Sequence, residues 1–408
     1  MLKEIQVTEL RVGMFLHDLD QEPALFPGIK TNTSINNNIL LQNIIKTGVS
    51  KVTIDTGKGF DIIEPGLKSL KHKIAFNIPG KTQTTDSKTP LPALKPSSIK
   101  QELSTAKTIK HQATDAIDAA FYAAKMGRSI NISSIRNSVK QMAESIIRNQ
   151  DALLTLGQIR HKNTYTFDHA INTCILALTF GKWKELDYGA LINLGTAALL
   201  HDIGETKLDD SLVSHKGKLS ESQFVQLKNH VEYSVELLSA SSRINPQVIK
   251  LVQQHHERFD GSGYPHGLKG NEIEPLAQIL GLTDLYDSMT AETSFSNARA
   301  PTLVLKQLME SSDELFDSLI IKQFIKCIGI YPVGSLVKLS NGCIAIVHEI
   351  SEQNSLQPKV KMIYNARREY FIHPLEINLA ELAENAHQLS ITGYVNPNHL
   401  HINLAAFI

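Results

Sequence analysis

Residues 190–205 read ALINLGTAALLHDIGE, an apolar run that ends in an adjacent His-Asp pair, His201 and Asp202. The apolar run predicts a buried helix, whose end therefore brings the Asp202 carboxylate close to the core. A buried carboxylate is costly unless it is paired or bound to a metal, and its two oxygens can bridge two cations. The stretch predicts a helical core with a polar centre.

Further histidines and acids lie on both sides of this pair, at separations that each fit one helix and its connection. They occur in YTFDHA (165–170), LKNHVE (227–232), QQHHER (253–258) and GLTDLYD (281–287). A helical bundle would bring one such segment per helix to a shared cavity. Imidazoles with carboxylates suit iron, manganese or zinc, and two such ions polarise a phosphate and generate hydroxide at neutral pH. We therefore predict a metal site with the ligands His169, His201, Asp202, His230, His255, His256 and Asp284.

A lone histidine is more often a core or surface residue than a ligand, so the prediction rests on the adjacent pairs and the even spacing. Three histidines in the same region, His161, His215 and His266, lack this support. We interpret them as surface residues.

The segment DGSGYP, residues 260–265, follows the second histidine pair directly. Its glycines permit positive φ and close approach of the backbone to a ligand. Tyr264 precedes Pro265, which favours an extended backbone and leaves a flat ring to face a base or sugar. We interpret Gly263, Tyr264 and Pro265 as substrate-binding residues; the alternative is a simple solvent-exposed turn.

The composition of the chain narrows its class and its partners. Its 408 residues allow two or three domains, and 42% apolar with 20% charged residues is typical of a globular protein. Basic and acidic residues balance, so no overall field favours a nucleic-acid polymer or an anionic membrane. Three cysteines without ligand spacing, no apolar signal core and no run of roughly 20 apolar residues predict a cytoplasmic protein without a membrane span.

Changes in composition along the chain predict several parts. We expect a small α+β domain over 1–63, with a helix over 36–48, then a flexible linker rich in Pro, Lys, Ser and Thr over 64–98. A helical connector over 99–160 leads into the mainly helical region 161–330, which carries the histidines. Short strands around an Asn341-Gly342 hairpin turn predict a β-rich extension over 331–380, followed by a tail over 381–408.

Apolar residues recur every three or four positions from Ile132 to Leu156. This series fits two structures. One is a long amphipathic helix packed on its own domain; the other is a two-stranded coiled coil that makes a homodimer, with Val139 and Ile146 in its seam. In the second case Asn149 falls at a position where a polar residue is less usual.

The quoted segments resemble the HD-GYP family of bacterial cyclic di-GMP phosphodiesterases. LLHDIG matches the HD signature, HHERFDGSGYP matches the GYP signature, and YTFDHA, LKNHVEYS and LTDLYDSMTAE match the other blocks in order, over roughly 150–330. Residues 1–60 resemble the small domain often joined to such proteins. The resemblance implies a mainly α protein, with a helical HD-superfamily metal-dependent domain, a small α+β N-terminal domain and a small β-rich C-terminal extension.

The resemblance also implies an activity and a division of the ligands. Members hydrolyse cyclic di-GMP to linear pGpG, GMP or both, with iron or manganese, through a hydroxide between the metals. Carried over, one ion would be held by His169, His201, Asp202 and Asp284, and the second by His230, His255 and His256, with Asp202 bridging. Members with a third ion have Glu four residues before the first His; here that residue is Tyr165, so we expect two divalent ions.

The chain departs from the family pattern where phosphate is bound. Glu205 stands where the family usually has a Lys. Further on, Thr293 stands in place of an Arg, Phe295 in place of a Tyr and Ser296 in place of a basic residue. Losing the Arg removes a bidentate phosphate contact. Arg258 remains as a candidate phosphate contact, and we place Asp202 and Glu205 as catalytic residues.

Three functions follow from this combination. The first is an enzyme that hydrolyses cyclic di-GMP. The second is a catalytically weakened receptor or protein-interaction module that keeps its metals, acting through protein partners in signalling. The third is a phosphohydrolase for another nucleotide, such as a mixed cyclic dinucleotide.

Overall fold

A computed structural model describes residues 2–7, 10, 14–19, 31–35, 44–45, 49–55, 89–158, 165–215, 217, 219–291, 298–350, 356–367, 370–383, 389–396 and 407. The chain divides into two compact units, Met1–Asp86 and Ser87–Ile408. The first contains a small sheet. The second contains the long helices, the seven predicted metal ligands and a second sheet.

The N-terminal unit contains an antiparallel sheet of four strands in the order β1-β4-β2-β3. The strands are β1 Leu2–Gln6, β2 Phe15–Leu19, β3 Thr33–Ser34 and β4 Lys51–Asp55. Val52 and Ile54 point into the core while Lys51 is exposed, the alternation expected of a sheet with one buried face. Of the helix expected over 36–48, only Ile44 and Ile45 lie within the described residues, and both are helical.

The second unit is built on helices, most of which share one hydrophobic core. Their bounds are α1 Ile99–Lys125, α2 Ile132–Arg148, α3 Gln150–Gly157, α4 Tyr165–Trp183, α5 Tyr188–Leu200, α6 Asp210–Val213, α7 Glu221–Lys228, α8 His230–Ser239, α9 Pro246–Gln254, α10 Pro275–Thr290, α11 Pro301–Glu310 and α12 Ser318–Ile328. Short 3-10 helices span Ile203–Lys207 and Gly270–Glu272. Among the described residues, no helix is both long enough and apolar enough to cross a membrane.

The predicted helix over 132–156 is two helices, because the chain turns at Asn149. This residue has an extended backbone, and its side chain accepts hydrogen bonds from the N–H groups of Asp151 and Ala152, so it caps α3 as α2 ends. Val139 and Ile146 are fully buried in the core of this one chain. The coiled-coil prediction, with a dimer seam at these residues, is therefore wrong, and the alternative of packing on the same domain holds.

Two further boundary predictions are corrected by packing. Residues 99–160 form no separate connector, since Ile117 of α1 belongs to the same core as Cys174 of α4. The end of the predicted linker is attached to this body, because the Tyr188 N–H donates to the Thr89 carbonyl at 2.9 Å. The rest of that linker, 64–88, lies outside the described residues.

A five-stranded antiparallel sheet follows the helices, in the order β8-β7-β6-β5-β9. Its strands are β5 Leu336–Leu339, β6 Cys343–Glu349, β7 Lys359–Asn365, β8 Tyr370–Asn378 and β9 Ile391–Tyr394, with helix α13 Leu379–Ala383. Gly342 has a φ of 86° in the turn between β5 and β6, as the hairpin prediction requires. The predicted tail contains β9, which pairs with β5, so the β-rich extension does not end at residue 380.

Candidate metal centre

Three histidines of the centre lie at helix ends, where the fold positions their rings. Nδ1 of His201, His230 and His255 each faces the carbonyl oxygen three residues earlier; these belong to Ala198 at 2.9 Å, Leu227 at 2.7 Å and Val252 at 2.6 Å. The carbonyls of a last helical turn lack an intrahelical partner and can accept this bond. Because a carbonyl can only accept, Nδ1 carries a proton, which leaves Nε2 as the ring nitrogen that can present a lone pair to the centre.

The two oxygens of Asp202 face two different sets of histidines. Oδ2 lies 3.1 Å from His201 Nε2 and 3.9 Å from His169 Nε2. Oδ1 lies 3.3 Å from His230 Nε2 and 3.7 Å from His255 Nε2. The carboxylate therefore stands between two nitrogen pairs, the arrangement needed to bridge two cations.

Helix α10 supplies two acids to the same centre. Asp284 Oδ1 lies 3.1 Å from His169 Nε2, and Asp284 Oδ2 lies 3.8 Å from His256 Nδ1. One turn later, Asp287 Oδ2 lies 2.8 Å from His169 Nδ1. Asp287 was missed in the sequence, although the three-residue spacing from Asp284 would place both acids on one helix face.

These groups fit divalent metal ions. The Nε2 atoms of His201, His230 and His255 are buried and have no hydrogen-bond partner in the described part of the chain. Ligand atoms of three overlapping groups, which together include all seven predicted ligands, lie within 4.8 Å of one another inside each group. Buried polar atoms without partners are costly, so three converging lone pairs indicate a ligand, and nitrogen with carboxylate oxygen suits iron, manganese or zinc. His215 and His266 belong to none of these groups within the described residues.

The charge states suit cation binding. Burial opposes ionisation of Asp202, but its neighbours His201, His255 and His230 lower its pKa well below the usual value. Burial lowers the pKa of His256 well below its usual value, so its ring is neutral near pH 7. Burial, followed by the negative charge of Asp202, raises the pKa of Glu205 to about 8.

Two glycines let the backbone segments of the centre approach one another. A Cβ on Gly204 would collide with the His230 carbonyl, and a Cβ on Gly281 would collide with the His255 carbonyl. The Gly204 N–H also donates to Ser234 Oγ at 2.8 Å, and that hydroxyl donates to the His201 carbonyl at 2.9 Å. The histidines are thus held by close backbone packing as well as by hydrogen bonds to their rings.

The glycine-rich loop closes one side of the centre. The Tyr264 ring lies 4.6 Å from the His256 ring at an interplanar angle of 34°, and the Tyr264–Pro265 peptide is cis. Gly263 passes directly against the backbone of the preceding turn, where a Cβ would collide. Glu257, buried and not anticipated from the sequence, accepts the N–H groups of His266 at 2.8 Å and Leu268 at 2.9 Å and shapes the loop.

The predicted phosphate contacts are placed differently. Arg258 Nη1 donates to the carbonyls of His255 at 3.2 Å and Glu257 at 2.9 Å, and its guanidinium lies over the Phe316 ring. These contacts hold it in the protein wall and argue against a direct phosphate contact. The substituted positions Thr293, Phe295 and Ser296, like His161, lie outside the described residues.

Comparisons with known proteins identify the domains of the chain and its relatives. Residues 139–320 match the family model of the HD domain, and residues 2–135 match a domain of unknown function, DUF3391. The cyclic di-GMP phosphodiesterase PA4108 of Pseudomonas aeruginosa is 30% identical over 368 residues, 90% of this chain and 86% of that protein. The 3'3'-cGAMP-specific phosphodiesterase 2 of Vibrio cholerae is 32% identical over 131 residues, 32% of this chain and 25% of that protein.

Among solved structures, Bd1817, a HDG"Y"P protein from Bdellovibrio bacteriovorus, is 17% identical with a TM-score of 0.47 and covers 79% of this chain and 98% of its own. Two findings identify the family: the similarity to PA4108 over 90% of this chain, and the HD-domain match over the helices that carry the histidines. The chain belongs to the HD-GYP family of HD-domain phosphodiesterases and carries an N-terminal DUF3391 region.

Proposed function

We propose that this chain is a cytoplasmic phosphodiesterase that hydrolyses cyclic di-GMP to linear pGpG, GMP or both, with two divalent ions, iron or manganese. The observation that carries the proposal is Asp202, whose two oxygens face two separate pairs of histidine nitrogens. The relative named as a cyclic di-GMP phosphodiesterase supports the choice of substrate.

The predicted ligands fall into two sets, one for each ion. One ion would be held by Nε2 of His169, Nε2 of His201 and the Asp284 carboxylate. The other would be held by Nε2 of His230, Nε2 of His255 and the His256 ring. Asp202 would be a ligand of both. When bound, the cations would polarise the phosphodiester and lower the pKa of the attacking water.

The loop that contains Gly263, Tyr264 and Pro265 would orient the substrate. The Tyr264 ring lies against His256 and offers an aromatic face beside the centre, where a base or ribose can pack. The collision of a Cβ at Gly263 with the backbone explains why that position is glycine. The loop would thus set the distance of the nucleotide from the metal ligands.

The test is hydrolysis of cyclic di-GMP by protein purified without oxygen and loaded with iron or with manganese. Products are resolved by chromatography, with the metal-free protein as the control. The proposal expects linear dinucleotide or GMP in the loaded samples alone. Absence of product from fully loaded protein would contradict it.

A second candidate, a receptor that binds cyclic di-GMP without turnover and signals through protein partners, is favoured by Glu205. Glu205 lies beside the negative charge of Asp202, and Arg258 is engaged with backbone carbonyls, so neither side chain offers a free positive charge to a phosphate. Glu205→Lys separates the two candidates. A large gain in hydrolysis would identify a weakened enzyme, whereas unchanged turnover in an active protein would show that the site works with an acid at this position.

A third candidate is hydrolysis of a mixed cyclic dinucleotide. Residues 292–297, where the family pattern is altered, give the sequence basis, and the relative named as 3'3'-cGAMP-specific supports it. A panel of cyclic di-GMP, 3'3'-cGAMP and cyclic di-AMP at equal concentration, compared by kcat/KM, identifies the preferred substrate.

A further inference from the structure

Helix α7 carries apolar residues that packing does not explain. None of its residues is buried; Phe224 is 46% exposed and Val225 is 62% exposed. A capping box between Ser220 and Gln223 fixes the start of the helix. The helix is thus well defined, yet its apolar side chains face outward rather than the core.

One face of α7 adjoins the glycine-rich loop of the metal centre. Nζ of Lys228 lies 4.8 Å from the centre of the Phe224 ring and 5.0 Å from that of the Tyr264 ring. The two rings lie edge to face with their centres 6.4 Å apart. Because Tyr264 also packs on His256, the group Phe224, Lys228 and Tyr264 forms a wall continuous with the centre; we call it the aromatic wall.

Charge distinguishes Lys228 from the neighbouring cations. Lys207 is paired with Glu236 at 2.8 Å, and Arg258 is bonded to backbone carbonyls. In the part of the chain that the structure describes, the ammonium of Lys228 contacts two aromatic faces and no carboxylate. A cation beside an acidic centre, without an acid of its own, is suited to an anionic ligand.

We propose that the aromatic wall reads the part of the substrate that is not being hydrolysed. This inference rests on the proposed function, since a cyclic dinucleotide has two phosphates and two bases. With one phosphate at the metal ligands, Lys228 binds the other phosphate and Phe224 stacks on a purine base. Base stacking on aromatic side chains and charge-assisted contacts to phosphate are strong enough to govern affinity.

The experiment compares Lys228→Met and Phe224→Ala with the unmutated full-length, metal-loaded protein. Binding is measured by titration with a phosphorothioate analogue of cyclic di-GMP, and KM and kcat are measured with cyclic di-GMP itself. Each variant should raise Kd and KM by about tenfold or more, because such a contact is worth roughly 1.5–3 kcal/mol. Lys228→Arg should retain most of the affinity.

Two controls separate recognition from damage. Val225→Ala removes an exposed apolar side chain from the same helix and should leave Kd unchanged. Bis(4-nitrophenyl) phosphate has a single phosphate, so it cannot use Lys228 as a second phosphate contact. A loss of its hydrolysis by Lys228→Met as large as the loss with cyclic di-GMP would show general damage and overturn the inference.

The outcomes distinguish this inference from the proposed function. If the unmutated protein binds and hydrolyses cyclic di-GMP and both variants bind it equally well, the aromatic wall is not a recognition surface, while the proposed function stands. If the protein binds cyclic di-GMP without hydrolysing it and the variants bind weakly, the inference stands for a receptor. If the protein binds neither cyclic di-GMP nor 3'3'-cGAMP, both proposals fail.

Discussion

Each histidine at a helix end has one ring nitrogen bonded to the fold and the other directed at the centre. For His201, His230 and His255 the bonded partner is a backbone carbonyl, which no side-chain substitution can remove. His169 differs, because its Nδ1 faces the carboxylate of Asp287. A carboxylate partner fixes the ring and raises the basicity of the opposite nitrogen.

We therefore expect Asp287→Ala to weaken metal binding by about 10–100-fold, the usual cost of losing such a partner. Asp287→Asn should cost less, since the amide oxygen still accepts the Nδ1 proton. The measurement is a titration with manganese, with Glu310→Gln as an exposed acidic control. Equal affinity in Asp287→Ala and the control would show that this contact does not support the site.

The adjacent His-Asp and His-His pairs and the even spacing single out seven residues in the sequence, and the structure brings the same seven together. That they bind metal stays a prediction. Asp287 and Glu257 are single acids without such a pattern, and their roles depend on which groups the fold places beside them. The position of Arg258 could not be predicted either, because its backbone partners belong to its own turn. The convergence of these seven residues could be predicted because a metal site would constrain residue type, whereas supporting contacts depend on three-dimensional packing.

Helix α10 approaches the end of α9 at Gly281, where the His255 carbonyl lies in the position that a Cβ would need. Asp284 lies one turn further along α10, so this approach sets its distance from His255. Gly-to-Ala changes within helices usually stabilise by up to about 1 kcal/mol, but a collision with backbone outweighs that gain.

We predict that Gly281→Ala lowers both the thermal midpoint and the affinity for metal. Gly189→Ala, also within a helix, is the matched control, because there a Cβ would meet only a side-chain oxygen of Asp187 at 3.2 Å. The control should be neutral or slightly stabilising. Metal affinity in Gly281→Ala equal to that of the control would contradict the account of this helix contact.

The start of α1 and the end of α2 are joined by a buried ion pair. Arg148 Nη2 lies 2.7 Å from Glu102 Oε1, and Ser145 and Ser97 also donate to this carboxylate. Burial opposes its ionisation, but hydrogen bonds from Arg148, Ser145 and Ser97 lower the pKa of Glu102 below the usual value of 4.5. A lowered folded-state pKa gives stability that is present above pH 4.5 and is lost as the pH falls through the folded value.

Arg148→Met should therefore destabilise the protein by about 3 kcal/mol at pH 7, because it leaves the Glu102 carboxylate buried without its cation. The difference from the unmutated protein should shrink as the pH falls below 4.5, where Glu102 becomes protonated in the variant. Urea unfolding at pH 7 and pH 4 measures both. A difference that does not change with pH would rule out this electrostatic explanation.

The break at Asn149 shows what periodicity can and cannot predict. The apolar series from Ile132 to Leu156 continues in register across the break, so spacing alone favours one helix. Asn149 was the polar exception in that series, and it ends one helix and caps the next. Burial of the series was predictable, but the choice between its own core and a partner chain required the positions of the other helices.

Most of the helices over 99–328 share one core, and Val139 and Ile146, the residues of the predicted dimer seam, lie inside it. Val139→Asp would place an unpaired charge in that core and should destabilise the protein by about 4 kcal/mol or more. Circular dichroism melting should show loss of the cooperative transition, with the exposed Val225→Asp as control. A folded monomer from Val139→Asp, in place of a dimer, would instead support the seam.

The boundaries between the linker, the helical region and the β-rich extension were the least predictable feature of the chain. Residues 89–98 have a linker composition, yet hydrogen bonds at Thr89 and Ser97 attach them to the helical body. Strand β9 was placed in the tail because four residues carry little pattern, and only its pairing with β5 makes it a strand. Composition reports local preference, whereas these segments are ordered by contacts with distant residues.

If Asp202 joins two metal ions in a hydrolytic centre, its loss should lower the number of metal ions bound per chain. Protein purified without oxygen is loaded with iron or manganese, and metal per chain is measured beside cyclic di-GMP hydrolysis for the unmutated protein and Asp202→Ala. We expect a fall from about two ions to less than about one, with loss of product, because both ions would share this carboxylate. Two ions and unchanged hydrolysis in Asp202→Ala would contradict it.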